Sequence, residues 1–213
     1  VKYRPFLVKE QKILMMAQES DDKTDAYNML SDIVNGCTFN ALDIKTMPIF
    51  DFEYLFLKIR CKSVGESAEI SVLCPDDNKT RVPVKINLDE IDVQVEDDHS
   101  NVVGITGSIK IIMRYPTVND IKDVSEAETL KNVMKLLKVC IHEIHDGDTI
   151  HNMVDVTNSD LDDFIDSLST ETFEKLAEFF NTMPKLTHVE EVKNPKTNVI
   201  SEVVIQGVDS FFS

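Results

Sequence analysis

The stretch Pro48-Ile49-Phe50-Asp51-Phe52-Glu53-Tyr54-Leu55-Phe56-Leu57-Lys58-Ile59-Arg60-Cys61-Lys62-Ser63 decides how the chain is read. Phe52, Leu55, Phe56 and Ile59 recur at helical spacing, and Tyr54 and Leu57 widen the apolar face beyond a surface stripe. Asp51 is placed to cap the first turn, and Lys58, Arg60 and Lys62 suit the negative end of a helix dipole. The aromatic content also suits a strand, but the period favours a helix. A helix this apolar must be covered, so it is expected to be central, with Phe56 in the core.

Toward the N-terminus, Pro5 sets an extended entry over Lys2 to Phe6. A helix is predicted from Val8 to near Ser20, with Ile13, Leu14, Met16 and Ala17 on its apolar side, then a polar junction at Asp21-Asp22. A second helix is predicted from about Thr24 to Val34, ended by Asn35-Gly36 in the left-handed conformation. Toward the C-terminus the period changes. Glu69 to Cys74 and Arg81 to Leu88 alternate about Pro75-Asp76-Asp77-Asn78-Lys79 and read as a β-hairpin, with Ile91, Val93 and Val95 either extending its second strand or forming another one. Ser108 to Tyr115 reads as a strand after a bend at Gly104 and Gly107.

A helical region is predicted from Val118 to Met183. Leu130, Val133, Met134, Leu137 and Ile141 mark one helix, and Asp146-Gly147-Asp148 marks the break after it. Asn158, Ser159 and Asp160 are cap candidates for a second helix, and Ser169 or Thr170 for a third. Leu186 to Val192 and Val199 to Ile205 form a second hairpin candidate. The Gly207 to Phe212 segment behind it faintly parallels Leu88 to Ile91 behind the first. The expected class is α+β: mainly helical segments with a small antiparallel sheet built from β-hairpins. Four segments follow: 1–63 helical, 64–117 hairpin and small sheet, 118–183 helical, and 184–213 a ribbon with an aromatic tail.

The 213 residues carry 22 Lys and Arg against 38 Asp and Glu, a net charge of −16. That balance disfavours nucleic acid and suits either solubility or a basic protein partner. Cys37, Cys61, Cys74 and Cys140 are dispersed beside apolar residues and read as buried thiols, as in a reducing compartment. No stretch has the length of a membrane span and no cationic leader is apparent, so a soluble cytoplasmic protein is expected. Val1 in place of an initiator Met fits processing or a start further upstream.

The residues give little chemistry. Cys74-Pro75-Asp76-Asp77 resembles half a zinc knuckle without its second cysteine, and a structural zinc needs four ligands. His142 and His145 lack the metalloprotease spacing and are explained by a late-helix position; His99, His151 and His188 stand apart. Asp160, Asp162, Asp163 and Asp166 lie near a helix start without a calcium-loop pattern. No phosphate loop or nucleophile elbow occurs. No metal, cofactor or catalytic residue is therefore expected, and the protein is read as a non-enzyme. A carboxylate-pair hydrolase is the third alternative. The binding candidates are at the C-terminal end: Val208, Phe211 and Phe212 as an apolar anchor, with Glu190, Glu191 and Glu202 steering a partner. The competing reading tucks the aromatic pair into the protein's own fold.

The opening Tyr3-Arg4-Pro5-Phe6 with Lys9-Glu10-Gln11-Lys12-Ile13-Leu14 and Glu19-Ser20 resembles a baseplate hub assembly protein family of T-even-type contractile-tailed phages. So do Phe52 to Arg60, Lys62-Ser63-Val64-Gly65-Glu66 and Gly207 to Phe212. The resemblance covers nearly the whole chain and is least distinctive in the helical middle. It implies a late protein acting in the host cytoplasm on another baseplate hub or tail protein, as an assembly factor or chaperone. A permanent hub subunit is the close alternative, and retention in the mature tail and self-association are left open. Some relatives are expected to carry paired cysteines near the hairpin bends. Asp77 stands where the second would fall, so no metal is carried over.

Overall fold

The computed structural model describes residues 1–20, 22–121 and 130–211; Asp21, of the predicted polar junction, and the 122–129 part of the predicted helical region lie outside them. In chain order the elements are α1 (Val8–Gln18), α2 (Lys23–Cys37), α3 (Ile49–Val64), β1 (Ser67–Leu73), β2 (Arg81–Asn87) and β3 (Asp92–Gln94). There follow β4 (Val102–Thr106), β5 (Ile109–Met113), α4 (Val118–Ile121), α5 (Leu130–Cys140), β6 (Ile141–Asp146) and β7 (Thr149–Asn152). The chain closes with α6 (Asn158–Asp166), α7 (Thr170–Thr182), β8 (Lys185–Lys193) and β9 (Ile200–Gln206). The class is α+β, with every strand pairing antiparallel. The contacts group residues 1–94 with 184–213 as one compact unit and 95–183 as another.

In the first unit α3 is the hub. Phe52, Phe56, Leu57 and Ile59 are fully buried, and the helix meets α2, β3, β8 and the short 3-10 turns Leu88–Glu90 and Val208–Phe211. It starts one turn earlier than Asp51 suggests. Pro48 is the N-cap and its carbonyl accepts from the Phe52 amide, so Asp51 sits inside the first turn. Gly65 ends it at φ +121°, a backbone that side chains disfavour.

The sheets of this unit are the hairpin β1–β2 and the three-stranded order β3-β8-β9. Their inner faces meet in one cluster containing Leu57, Ile70, Val72, Ile86, Leu186 and Ile205. The two hairpin bends share one construction. Asn78 and Asn198 both take left-handed φ, and their amides donate to the carbonyls of Cys74 and Asn194 at 3.0 and 2.9 Å. Asp76 joins the bends, accepting from Asn194 Nδ2 at 3.0 Å and Thr197 Oγ1 at 2.5 Å. A 3-10 turn follows each hairpin and begins with a buried residue, Leu88 or Val208. The faint parallel in the sequence is thus a repeated structural unit.

Alpha-2 corrects the helix end expected at Asn35-Gly36. It runs on to Cys37, and the left-handed residues are Phe39 and Asn40. Gly36 serves packing instead. A Cβ there would lie 3.2 Å from Glu10 Oε1. Glu10, buried, ion-pairs with Arg4 at 2.7 Å and accepts the Leu7 amide at 2.8 Å, closing the start of α1. The Arg4 amide donates to the Cys37 carbonyl and the Phe6 amide to Ser63 Oγ, so the extended entry is fastened to α2 and α3.

The second unit departs from the helical region predicted over 118–183. It contains the meander β4-β5-β6-β7, packed with α5, α6 and α7 around Ile111, Met113, Leu137, Ile141 and Phe179. Ile141 begins β6 rather than extending α5. The cause is a bulge: Ile112 faces Glu143 while Met113 faces Ile141, so His142 is extra. The bulge lets Ile141 and Ile144 both point inward, and an i, i+3 spacing mimics a helix. Beta-4, also unexpected, has a second irregularity between Gly104 and Thr106. Both hairpin loops of the meander have two residues, opening with Gly107 at φ +52° and Gly147 at φ +58°. Alpha-6 is capped by Thr157, whose hydroxyl accepts the Asp160 amide, rather than by the three residues after it. Ser169 caps α7 as expected.

Candidate docking face

The C-terminal ribbon is built by alternation about the bend at 194–199. Val192 and Ile205 are buried and anchor one face. The register sets Val189 opposite Val204, Glu191 opposite Glu202, and Lys193 opposite Ile200 on the other face. Val189 and Val204 are 53% and 59% exposed, and Ile200 is exposed beside them. Directly opposed glutamates repel each other, so the outward face carries a local electrostatic cost next to unburied apolar groups. Beta-9 closes the strand order β3-β8-β9, leaving its outer edge outside that sheet.

The six residues expected to bind a partner separate. Glu191 and Glu202 meet on this outward face. Glu190 is on the opposite side, where its carboxylate lies 3.0 Å from His188 Nε2. Val208 is 1% exposed, and its amide donates to Glu53 Oε1 of α3 at 3.3 Å. Burial removes Val208 from an outward anchor and makes it part of the first unit's packing. Phe212 and the Phe211 side chain lie outside the described residues. Val189, Val204 and Ile200 were missed in the sequence, although the alternation and the bend together place them outside.

Several other candidate groups from the sequence have local partners or are buried. Asp77 accepts the amides of Lys79 and Thr80 and the Thr80 hydroxyl, the largest contribution, which hold its carboxyl well below the usual range. Cys74 is buried, which pushes its thiol up. His142 and His145 are on β6, not late in a helix; His145 Nε2 is 2.7 Å from Glu143. His99 meets the hydroxyls of Thr182 and Tyr115, both at 3.0 Å, and burial lowers its pKa. Asp160 accepts from Thr157, and Asp162 pairs with Lys138. Among the described residues no group of three or more His, Cys, Asp or Glu is arranged to hold a metal. No described helix is long and apolar enough to cross a membrane.

What this geometry offers is a surface: an acidic and apolar ribbon face on an α+β scaffold whose family-like motifs, Tyr3 to Leu14 and Phe52 to Glu66, fasten its core. A family model described as T4 bacteriophage base plate protein matches residues 1–213, and the chain belongs to that family. No curated protein and no solved structure matches it.

Proposed function

We propose that this baseplate-family protein works by non-catalytic binding, as an assembly factor or chaperone for another hub or tail component. The supporting observation is the opposed pair Glu191–Glu202 beside exposed Val189 and Val204. A basic segment with apolar side chains would relieve the repulsion and cover the valines, so the free protein holds a face suited to a complex. The opposed charges predict two effects of opposite sign. Glu191→Lys should stabilise the isolated chain by about 0.2–1 kcal/mol, through an opposite-charge cross-strand pair. The same substitution should weaken association with hub proteins co-purified from infected cells.

Phe211→Ala with Phe212→Ala, checked by near-UV circular dichroism and melting, tests the aromatic pair that follows the ribbon in the sequence. Weaker binding with an unchanged melt assigns the pair to the interface, whereas a destabilised chain assigns it to the core. Equal association of wild type and Glu191→Lys would sink the ribbon as a docking face. An assembly factor should be present in hub intermediates and absent from finished tails; a fixed amount in purified tails would favour the permanent subunit. Turnover of a tail component or cell-wall substrate, abolished by one Asp or Glu substitution that spares folding and binding, would favour the hydrolase.

A further inference from the structure

We infer that the second unit carries its own docking site, a cleft beside the free edge of β7 that takes an extended segment of another protein with a large apolar side chain flanked by Lys or Arg. The cleft has a volume of about 400 Å³, in the range of sites that hold compact ligands or large side chains. Ile144 and Leu161 form a buried apolar floor, with half-buried Ile109, Val156 and Phe164 around it. Asp146, Asp155 and Asp160 stand at its rim with His151, and none of the lining residues is Lys or Arg.

Three features coincide here. The apolar floor accounts for a hydrophobic anchor. The carboxylate rim accounts for flanking cations, and repels an acidic segment. Beta-7 ends the order β4-β5-β6-β7, and its four residues are exposed, so its outer backbone edge is unpaired among the described strands. A segment added along that edge gains backbone hydrogen bonds while one side chain enters the cleft next to His151. Ile150, exposed on β7 between Thr149 and His151, adds apolar surface along the same edge. A small-molecule site would use the cleft but would not need the open edge. The occupant chemistry resembles that proposed for the ribbon, but the site is in the other unit and stands or falls separately.

The test uses the full chain, isotope-labelled for NMR, and the probe peptide acetyl-Lys-Val-Phe-Val-Lys-amide, with its Lys→Glu counterpart as control. The expected result is saturable shifts of the Thr149–Asn152 amides and of the Ile144 and Leu161 methyl groups, with the lysine peptide only. Asp146→Asn with Asp155→Asn should weaken binding about fivefold, as two exposed charge contacts allow, and added salt should weaken it for the wild type. Val156→Phe, which fills the cleft from a half-exposed position, should abolish the methyl shifts while the other resonances keep their dispersion. Absence of shifts at millimolar peptide, equal response to the glutamate peptide, or shifts confined to the ribbon at 185–206 would each overturn the inference. Concentration-dependent shifts at the same residues without peptide would assign the cleft to a second copy of the chain, and overturn it as well.

Discussion

Glu10→Gln should cost the first unit a large share of its stability, and the cost should shrink in acid. In the native chain the Glu10 carboxylate is buried against Arg4 at 2.7 Å, with Lys9 at 3.3 Å and the Leu7 amide at 2.8 Å. Hydrogen bonding from Arg4, opposed by burial, lowers its pKa from 4.5 to about 2. At about 1.4 kcal/mol per pKa unit, a fall of that order favours the charged form in the folded state by roughly 3 kcal/mol. Because the folded pKa is the lower one, this stabilisation is complete above 4.5 and is lost as pH falls toward 2.

Gln keeps an acceptor but presents no charge to Arg4, so a loss of about 2–3 kcal/mol at pH 7 is expected. The gap between wild type and variant should narrow by about 1 kcal/mol between pH 7 and pH 3.5, since all other titrations are common to both chains. The chain has no Trp. Urea melts followed by far-UV circular dichroism therefore report the whole chain, and native-state hydrogen exchange at the Leu14, Ile33 and Val34 amides reports the α1–α2 region. A loss under about 1 kcal/mol, or a gap of the same size at both pH values, would refute the reasoning.

The remaining predictions probe the hub and the paired bends. Phe56→Ala should cost about 3–5 kcal/mol, because its ring is fully buried in α3 and its removal leaves a cavity. A urea-melt difference below about 1 kcal/mol would mean that the surroundings close around the missing ring far better than this packing suggests. Asp76→Ala should release the two hairpin bends from each other, since Asn194 and Thr197 both donate to that carboxylate. Faster hydrogen exchange at Asn78 and Asn198 together is the expected sign; faster exchange in the first bend alone would mean that the link does not couple them.

The legible parts of the fold were those in which period and punctuation agreed. Beta-1, β2, β8 and β9 alternate cleanly about X-Pro bends, and their strands fall within a residue or two of the expected limits. Alpha-3 was equally plain, because a helix buried on most sides still keeps a 3.6-residue period. Beta-6 was hidden by its bulge, which imposes a three-residue spacing on inward side chains. Beta-7 buries none of its four residues, so it shows no alternation of buried and exposed positions. The Gly147-Asp148 pair was the available signal, for Gly-Asp between short apolar runs marks a hairpin as well as the break after a helix. Gly36 shows the opposite failure. Glycine after Asn reads locally as a stop, but here its missing side chain makes room for an ion pair formed with residues 4 and 10.

Of the binding candidates, residue type identified the charges but register decided which of them share a face. Val189-Glu190-Glu191-Val192 contains two adjacent glutamates that composition treats alike. Period 2 sends them to opposite faces, and buried Val192 assigns Glu190 to the face of His188 and Glu191 to the outside. The bend then sets Lys193 opposite Ile200, and counting back two residues on each strand brings Glu191 to Glu202. The opposition was thus available from the sequence once the hairpin loop was bounded, whereas the cleft beside β7 was not. That cleft needs Ile144 and Leu161 to meet from a bulged strand and a helix, and no local pattern connects them. Charge repulsion on the ribbon and an open edge beside the cleft are both tolerated by the free chain at some cost in stability or solubility. Such costs have a physical rationale where a surface is shaped for something that covers it.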